Sequence, residues 1–538
     1  MEITAPIDNI CSVLLESLFI LFLFYLFFFK RIKYALATTF FITLIWAFCN
    51  ILYSRYFLRY IPLSSIYQTN NLRDYTVIMS ILDGFRYTDF YFIIISIIYY
   101  FINKSVNTKT IDFHSFRKIL FLFPSIIMVN FSIHALFCCS DRRLWYLSYY
   151  KERISNSHFI FDYNLGRPIW ANYHRGSVRT MIAEYIIMNR GSIELDDQKL
   201  QMINQICAQK RNSGEDTATN ASKNIIFIIV ESYVSLVTDL EVNGKKVMPF
   251  LYSLSKQPDT YYNSQMQSNI TLGQSSDGQF IYMTGILPLR SIITISKAKS
   301  VSLPGLPKLL SRHFPKLKSR MIIPTLPSLW EQETMCKVYG FNALYSSLDY
   351  NNDKKSNLTD QEMFELSARI DKTTELPFFS VLLTMAMHSP YNKEYDPDFK
   401  ISKYDDAMNH YLNACHYTDK QIEEYFIHLK TNGLYDNSII VIASDHHAFE
   451  QSVNVEQYGF NRDLPLFIIN GIKNNGWTQK CNQIDIYPTL LDIMGVKSNW
   501  HGQGQSLFST YHYYKISNQD WKISEWILFG NYFNKNNY

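Results

Sequence analysis

The stretch NIIFIIVES, residues 224–232, opens the part of the chain whose pattern decides the fold. The run is short, continuous and rich in β-branched residues, which is typical of a buried parallel strand. Three later runs have the same character: FFSVLLTM (378–385), SIIVIAS (438–444) and LPLFIIN (464–470). Helix-like stretches lie between them, the longest over residues 405–430. Strands alternating with helices predict an α/β domain with a mainly parallel sheet flanked by helices.

Long apolar runs lie upstream of this domain, over residues 10–29, 34–54 and 119–139. Each is about as long as a membrane-spanning helix requires. A further run over residues 75–102 is interrupted by charged residues, and it predicts either one long span or a short element followed by a helix from about Phe90. The sequence therefore predicts N-terminal transmembrane helices with four spans and leaves room for a fifth.

Basic residues near the apolar runs predict their orientation, because cytoplasmic loops are enriched in Lys and Arg. The loops after the first run and before the last are basic, with Lys30, Arg31, Lys33, Lys104, Lys109, Arg117 and Lys118. The loop over residues 55–74 is also basic, so the contrast between the two sides is incomplete. With both basic loops in the cytoplasm, four spans place both termini and the α/β domain on the outer side of the membrane.

The stretch between the last apolar run and the α/β domain is mixed and polar, and it ends in RNSGEDTATNASKN. Ser, Thr, Asn and Gly without an apolar period are typical of a linker. We therefore predict four parts. They are a transmembrane region over residues 1–140, a juxtamembrane linker over 141–223, the α/β domain over 224–515 and a C-terminal tail over 516–538.

Composition argues against two classes of protein. The 538 residues carry a formal net charge of only +4. No basic stripe with base-stacking aromatic residues is present in the sequence, so we expect no nucleic-acid partner. The eight cysteines show no C-x-x-C spacing, which argues against a disulfide framework or a zinc knuckle.

Side chains suited to metal binding or catalysis follow three of the predicted strands. Glu231 follows the first, His388 follows the strand at 378–385, and the triplet Asp445-His446-His447 follows the strand at 438–444. Functional groups of open α/β sheets gather where strands end and loops begin. Carboxylate and imidazole groups at that place suit zinc or manganese. A helix cap for the acidic residue and a hydrogen-bonded position for the histidines fit the same residues, so both interpretations stay open.

A candidate nucleophile lies in SNITLGQSSDGQFIYMTGILP, residues 268–288. Gly273 permits backbone conformations that other residues avoid. Ser275 or Ser276 stands just before an apolar stretch that predicts a helix. A hydroxyl at a helix N-terminus lies near unpaired N–H groups and the positive end of the dipole, which favours a bound phosphate. A simple N-cap serine fits the same pattern.

Together these segments resemble the alkaline phosphatase/sulfatase superfamily, and within it the lipoteichoic acid synthase-like branch. The resemblance covers about residues 224–510 and the plan of a multi-span N-terminus. Six segments carry it in the order and spacing of the family: NIIFIIVES, GQSSDGQF, PFFSVLLTMAMHSPY, IIVIASDHHA, NQIDIYPTLLDIMGV and HGQGQSLF. The stretch GFRYTDFY (84–91) also resembles a segment between early spans of this branch. The resemblance implies the α/β fold of the superfamily.

The resemblance also implies one divalent metal ion, Mn²⁺ or Zn²⁺, held by Glu231, Ser275, Asp445 and His446. Ser275 stands where the family usually has Thr, and it would attack phosphorus and carry the head group as a covalent intermediate. His388 would bind the substrate phosphate or protonate a leaving oxygen, and among the residues His447 is a weaker candidate for these roles.

A transferase of the bacterial cytoplasmic membrane, with an extracytoplasmic catalytic domain, is the activity that the resemblance implies. It would move phosphoglycerol or phosphoethanolamine from a membrane phospholipid to a glycan or lipid acceptor of the cell envelope. Two alternatives stay open: a phosphodiesterase or phosphatase-like hydrolase that uses water as acceptor, and a non-catalytic membrane protein that keeps the fold for assembly or binding. Membrane spans favour the transferase, because they hold the site near a lipid donor.

The chain departs from the family pattern at the head-group pocket. The branch has Trp-x-Arg where this chain reads WEQ (330–332), so Trp330 is kept as a substrate-binding candidate and the arginine is missing. A glutamine cannot replace the bidentate phosphate contact of a guanidinium. Ile323 and Thr325 stand where the branch has polar pocket residues. Formylglycine sulfatases need C/S-x-P-x-R, and Ser275 is followed by SDGQ, which argues against a formylglycine sulfatase.

Overall fold

The structure, a computed structural model, describes most of the chain. The described residues are 5–28, 31–57, 60–73, 75–105, 177–189, 192–209, 222–350, 357–448, 453, 455–459, 461–472, 479–507 and 513–535. The chain divides into two compact units. The first comprises residues 1–63 and 84–187, and the second comprises residues 64–83 and 188–538.

Apolar helices make up the described part of the first unit. The first five helices of the chain are α1 (Ala5–Phe27), α2 (Ile32–Phe57), α3 (Tyr75–Asp83), α4 (Phe90–Ser105) and α5 (Ser177–Met188), and α3 falls within the bounds of the second unit. Among the described residues, one helical stretch, Lys33–Arg55, is long and apolar enough to cross a bilayer, with a mean hydropathy of 1.9. Glu16–Phe27 in α1 is apolar but shorter. The predicted span over residues 119–139 lies outside the described residues.

The interrupted apolar run at residues 75–102 forms two helices, and α4 begins at Phe90 as the sequence predicted. Within the first unit, Arg55 of α2 pairs with Asp89 through two hydrogen bonds, Nη1 to Oδ2 at 2.7 Å and Nη2 to Oδ1 at 2.6 Å. Asp89 also accepts the backbone N–H of Arg86 at 2.9 Å. A two-bonded arginine–carboxylate pair satisfies both charges at once. This pairing gives a partner to Arg55 near the end of α2 and to Asp89, one of the charged residues that interrupt the apolar run.

The second unit is an α/β domain. Its strands in the described ranges are β1 (Asn224–Val230), β2 (Glu241–Val242), β3 (Lys245–Lys246), β4 (Thr260–Gln267), β5 (Lys318–Ile322), β6 (Ala343–Tyr345), β7 (Phe378–Leu383), β8 (Ser438–Ser444), β9 (Leu464–Ile469) and β10 (Cys481–Asn482). Its helices after α5 are α6 (Asp197–Gln209), α7 (Leu236–Asp239), α8 (Pro249–Leu254), α9 (Ser275–Thr284), α10 (Thr294–Ala298), α11 (Leu306–His313), α12 (Gln332–Tyr339), α13 (Ser347–Tyr350), α14 (Asp360–Asp371), α15 (Asp406–Thr431), α16 (Ile486–Ile493), α17 (Asn518–Phe529) and α18 (Tyr532–Lys535). Short 3-10 helices of the described chain cover Leu63–Arg73 and Tyr87–Asp89 upstream of the sheet. Three more, Leu329–Glu331, Val455–Tyr458 and Gln483–Asp485, lie within the α/β domain.

Eight strands of the described chain form one sheet, in the order β10-β4-β9-β8-β1-β7-β5-β6. All neighbouring pairs are parallel except those that include β9, which is antiparallel to both β4 and β8. The mainly parallel α/β sheet is therefore confirmed. The run LPLFIIN forms β9, so its direction differs from that of the parallel strands it resembles. A strand that is buried along its whole length has the same continuous apolar pattern in either direction.

The register of the three central strands sets the position of the candidate site. Ile229 of β1 pairs with Leu383 of β7 on one side and with Ala443 of β8 on the other. The carboxyl ends of these parallel strands therefore meet at one edge of the sheet, where sites of α/β proteins form. All residues of β1, β7 and β8 are buried, so the polar side chains begin where the strands end.

Parts of the predicted linker and of the predicted tail are folded in the second unit. The N–H of Ile193 donates to the carbonyl of Phe529 at 3.0 Å. Helix α17 buries Ile523, Ile527 and Leu528. These contacts join the two ends of the described α/β unit, while the domain bounds at residues 140, 223 and 515 stay predictions from the sequence.

Helix α9 passes close to the end of β8 because residue 278 is glycine. A Cβ atom there would lie 2.6 Å from the carbonyl oxygen of Asp445 and 2.9 Å from its Cα. Both are backbone atoms, which cannot rotate away as a flexible side chain could. Position 278 therefore has room only for glycine, because α9 and β8 approach each other closely there.

We expect Gly278→Ala to lower the free energy of unfolding by about 1–3 kcal/mol, because the added methyl group forces α9 away from β8. Thermal unfolding of the full-length chain measures the change, and Lys420→Ala at an exposed position of α15 provides the control. An unfolding temperature equal to that of the control would contradict the close packing described above.

Candidate active site

Glu231 lies at the end of β1 and is held by its neighbours. Its backbone N–H donates to Oγ1 of Thr384 at 3.1 Å, and its Oε1 accepts a hydrogen bond from Oγ of Ser232 at 2.9 Å. Ser232 has a positive φ of 54°, so the chain turns sharply at once after the strand. The following helix, α7, has Ser235 at its N-cap. The helix-cap interpretation of Glu231 is therefore wrong, because the residue lies four positions before that cap.

Asp445 and His446 lie at the end of β8, beside Glu231. Oδ1 of Asp445 accepts the backbone N–H groups of Ser232 at 2.9 Å and of His446 at 2.8 Å. The ring Nδ1 of His446 lies 2.8 Å from the carbonyl oxygen of His447. A neutral imidazole that donates from Nδ1 keeps Nε2 as an acceptor or metal ligand. His446 is fully buried, whereas His447 is partly exposed and lies with its own Nδ1 3.0 Å from the carbonyl of Ala448.

Ser275 is the first residue of α9, and its hydroxyl reaches both of these strand ends. Its Oγ lies 3.0 Å from Nε2 of His446 and 3.3 Å from Oε2 of Glu231. Ser276 instead donates to the carbonyl of Gly273 at 2.8 Å. The N-cap position is occupied by Gln274, whose side chain makes no capping bond. The structure thus distinguishes two serines that the local sequence pattern did not distinguish. Ser275 is not a simple N-cap residue.

One group of described residues has the arrangement of a metal site. Single ligand atoms of Glu231, Asp445 and His446 lie within 4.8 Å of one another, and all three residues are buried. Nε2 of His446 lies 3.4 Å from Oε1 of Glu231 and 3.6 Å from Oδ2 of Asp445. With Oγ of Ser275 nearby, two carboxylates, an imidazole and a hydroxyl face one point. This donor set fits Zn²⁺ or Mn²⁺, which accept nitrogen and oxygen ligands.

Burial and neighbouring charges act against each other in this cluster. Burial alone would raise the pKa of the Glu231 carboxyl, but the positive charge of His446 outweighs burial and lowers that pKa to about 2. Burial and the negative charge of Glu231 raise the pKa of Asp445 to about 7. Burial would lower the pKa of His446, yet the charges of Asp445 and Glu231 raise it to about 9. At neutral pH the cluster holds protons that a divalent cation would displace.

Trp330 and His388 lie together beside this cluster. Their ring centroids are 6.1 Å apart with planes tilted by 54°. His388 follows the end of β7, and its Nδ1 contacts the carbonyl oxygen of Ser389. A positive charge on His388 contributes to lowering the pKa of the Glu231 carboxyl. His388 therefore lies close enough to interact electrostatically with the candidate metal ligands. Both rings are partly exposed, as residues that meet a substrate need to be.

Two residues that the sequence analysis did not single out hold these groups in place. The buried carboxylate of Asp277 accepts the N–H groups of Thr271 at 2.8 Å and of Gly273 at 2.9 Å, so it shapes the loop before Ser275. Gln483 donates from Nε2 to the carbonyl of Asp445 at 2.7 Å and accepts the N–H of Asn269 at 2.8 Å. Both lie in quoted segments, GQSSDGQF and NQIDIYPTLLDIMGV, but no local pattern marks them as supports.

The two pocket positions that depart from the family pattern are buried. Ile323 is fully buried and Thr325 is 4% exposed. The N–H of Ile323 donates to the carbonyl of Tyr345 at 2.9 Å, so this residue continues the pairing between β5 and β6. These positions therefore serve the core of the domain, whereas Trp330 stays partly exposed.

Comparison with known proteins finds relatives of both parts of the chain. A family model described as Sulfatase matches residues 223–496, slightly more than half of the chain. A model described as Lipoteichoic acid synthase N-terminal domain matches residues 1–163. Lipoteichoic acid synthase 2 of Bacillus subtilis (strain 168) is 28% identical over 314 residues, which cover 54% of this chain and 48% of that protein. Lipoteichoic acid synthase of Staphylococcus aureus (strain bovine RF122 / ET3-1) is 26% identical over 492 residues, which cover 86% of this chain and 73% of that protein.

Among solved structures, the lipoteichoic acid synthase LtaP from Listeria monocytogenes is similar, with a TM-score of 0.48 and 22% identity. The similarity covers 58% of this chain and 80% of that chain. The matched regions differ in extent between relatives. This chain spans about half the length of the Bacillus relative in the match and about three quarters of the Staphylococcus relative.

We expect the affinity of the cluster for Mn²⁺ or Zn²⁺ to fall as the pH is lowered from about 9 to about 6. His446 binds a metal ion only when neutral and Asp445 only when ionised, and their raised pKa values of about 9 and about 7 let protons compete over this range. Each competing proton weakens the apparent affinity about tenfold per pH unit. Calorimetric titration in buffers of different ionisation enthalpy measures both the affinity and the protons released.

Asp445→Asn is the matched variant for this titration, since it removes one of the two competing protons together with the carboxylate charge. Its affinity should be lower than that of the unmodified chain and should depend less steeply on pH. Equal affinity at all pH values in the unmodified chain would contradict the assignment of these groups as ligands.

Proposed function

This chain belongs to the sulfatase family, and we propose that it is a membrane-anchored transferase of phosphate-linked head groups. It would move phosphoglycerol or phosphoethanolamine from a phospholipid to a glycan or lipid acceptor of the cell envelope. The observation that carries the proposal is the position of Ser275, whose Oγ lies 3.0 Å from His446 and 3.3 Å from Glu231 at the start of α9. The relatives are named lipoteichoic acid synthases, which supports a synthetic reaction rather than hydrolysis.

Family membership does not make the substrate a sulfate ester. Ser275 is followed by SDGQ and lacks the proline and arginine that accompany a formylglycine precursor. A serine hydroxyl at the N-terminus of a helix instead suits a phosphoryl group, whose negative charge is stabilised by the positive end of the helix dipole. The reaction class we propose is therefore phosphoryl-ester exchange.

Glu231, Ser275, Asp445 and His446 would hold one divalent ion, Mn²⁺ or Zn²⁺. When bound, such an ion supplies positive charge that lowers the pKa of the serine hydroxyl and stabilises negative charge on a phosphoryl oxygen. The buried position of Glu231, Asp445 and His446 keeps their mutual interactions strong, because water screens them little.

The proposed reaction has two steps at Ser275. Its Oγ loses a proton and attacks phosphorus, a Ser–O–P bond forms, and the bond between phosphorus and the diacylglycerol oxygen breaks. His388, partly exposed beside Glu231, would donate a proton to that leaving oxygen. A hydroxyl of the acceptor then gives its proton to His388 and attacks phosphorus. The Ser–O–P bond breaks, and Oγ of Ser275 takes back from solvent the proton that it released there in the first step.

The membrane supplies the donor in this proposal. Lys33–Arg55 is long and apolar enough to span a bilayer, and the match of residues 1–163 to the lipoteichoic acid synthase N-terminal domain supports a membrane location. We propose a multi-pass protein of the bacterial cytoplasmic membrane with the catalytic unit outside the cell. A phospholipid donor and an envelope acceptor meet on that side.

We expect Ser275→Ala to reduce head-group transfer at least about a thousandfold, because a covalent mechanism cannot proceed without its nucleophile. Full-length protein is incubated with phosphatidylglycerol vesicles and Mn²⁺ or Zn²⁺, and diacylglycerol release is measured. Ser276→Ala is the matched control, since its hydroxyl bonds to the carbonyl of Gly273, and its rate should stay within about threefold of the unmodified chain.

Mass spectrometry of the peptide that contains Ser275 tests the intermediate in the same reaction. A phosphoglycerol adduct on that peptide, absent from Ser275→Ala, would support the covalent route. Free glycerol phosphate without any extension of an acceptor would favour the hydrolase. Full diacylglycerol release by Ser275→Ala would refute the assignment of the nucleophile.

A further inference from the structure

A segment between two apolar helices of the N-terminal region belongs to the same compact unit as the catalytic residues. Residues 64–73, which we call the rim segment, follow α2 and precede α3, yet they group with residues 188–538. Two polar residues of this segment are buried, Ser64 with no exposed surface and Asn71 with 7% exposed. Buried polar side chains need partners, so the partners of these two residues indicate what the segment does.

Asn71 is bonded to the loop that carries Trp330. Its Oδ1 accepts the backbone N–H of Trp330 at 2.7 Å. Trp330 and Glu331 both have left-handed backbone conformations, with φ of 56° and 57°. Such a conformation is unfavourable for a non-glycine residue and persists only where the surroundings hold it. Two consecutive residues of this kind make the Trp330 loop dependent on outside contacts such as the one from Asn71.

Ser64 is bonded to the segment that contacts Asp277, the support of the loop before Ser275. Its Oγ accepts the backbone N–H of Ile293 at 3.2 Å. The next residue, Thr294, donates from Oγ1 to Oδ1 of Asp277 at 3.0 Å. Asp277 in turn shapes the loop before Ser275, as described above. The rim segment is thus joined at one end to the support of the nucleophile and at the other end to the substrate-binding candidate.

The geometry points to a role that sequence patterns do not mark: Asn71 is a positioning residue for Trp330, and the bonds of Ser64 and Asn71 hold the wall of the head-group pocket in place. The inference rests on the proposed function, because it assigns the wall of that same site. Trp330 stands 6.1 Å from His388 between ring centroids, so a shift of its backbone moves the face that a head group meets. Residues 330–332 read WEQ and lack the arginine of the family pattern. Substrate binding therefore depends more strongly on the position of Trp330.

Asn71→Ala removes the acceptor of the Trp330 N–H, and Asn71→Asp keeps an oxygen at the same place. Asn70→Ala is the matched control, because Asn70 is the neighbouring residue of the same type and is exposed. Hydrogen–deuterium exchange of the full-length protein, read on the peptide that contains Trp330, reports the bond directly and requires no activity. We expect exchange at that peptide to be about tenfold faster in Asn71→Ala, and unchanged in Asn71→Asp and Asn70→Ala.

The same four proteins are then assayed with phosphatidylglycerol vesicles. Asn71→Ala should raise KM about tenfold while kcat stays within about threefold, because the nucleophile and the metal-type residues are untouched. Asn71→Asp should restore KM. A general loss of folding would instead lower kcat and speed exchange in all peptides, and it would not be rescued by aspartate.

Equal exchange of the Trp330 peptide in Asn71→Ala and Asn70→Ala would overturn the positioning role, as would faster exchange with an unchanged KM. If the unmodified chain releases no diacylglycerol, the proposed function fails while the exchange measurement still decides whether Asn71 holds Trp330. The two ideas can therefore fail separately.

Discussion

Two buried carboxylates, Glu231 and Asp445, lie side by side at the ends of adjacent parallel strands, and the catalytic unit depends on how their repulsion is relieved. Like charges in a poorly hydrated site raise each other's pKa and oppose folding. Here backbone N–H groups donate to Asp445, the hydroxyl of Ser232 donates to Glu231, and the ring of His446 supplies positive charge. At neutral pH, protons on His446 and Asp445 balance much of this negative charge, and a divalent cation would take their place.

Ser275, the proposed nucleophile, reaches this pair through a close contact between secondary-structure elements. Helix α9 approaches β8 at Gly278, and this places Ser275 at the start of the helix within reach of His446. Asp277 and Gln483 then tie the neighbouring loops to the helix and to the strand end. Because these supports are buried and hydrogen-bonded, the serine hydroxyl has a defined position before any substrate arrives, which is the condition for efficient covalent catalysis.

The pocket beside the cluster has a different origin from the cluster itself. The cluster comes from strand ends and one helix start of the α/β domain, whereas Trp330 lies on a loop in an unfavourable backbone conformation and is bonded to Asn71, far upstream in the chain. We infer that the chemistry of this site is determined by the sheet and that the choice of head group depends on a contact from the N-terminal half. Differences between relatives at the pocket can then arise without changes at the metal-type residues.

The α/β class and the positions of β1, β7 and β8 follow from the sequence alone, and the family resemblance of its segments predicts the set Glu231, Ser275, Asp445 and His446. Apolar runs that stop at polar residues mark buried strands and their ends, and those patterns are local. The folded chain was needed to show that β9 runs antiparallel, that the hydroxyl of Ser275 rather than that of Ser276 reaches the cluster, and that Asn71 contacts Trp330. Each of these depends on pairing, packing or a hydrogen bond between residues distant in the chain, and one sequence carries no local signal for such contacts.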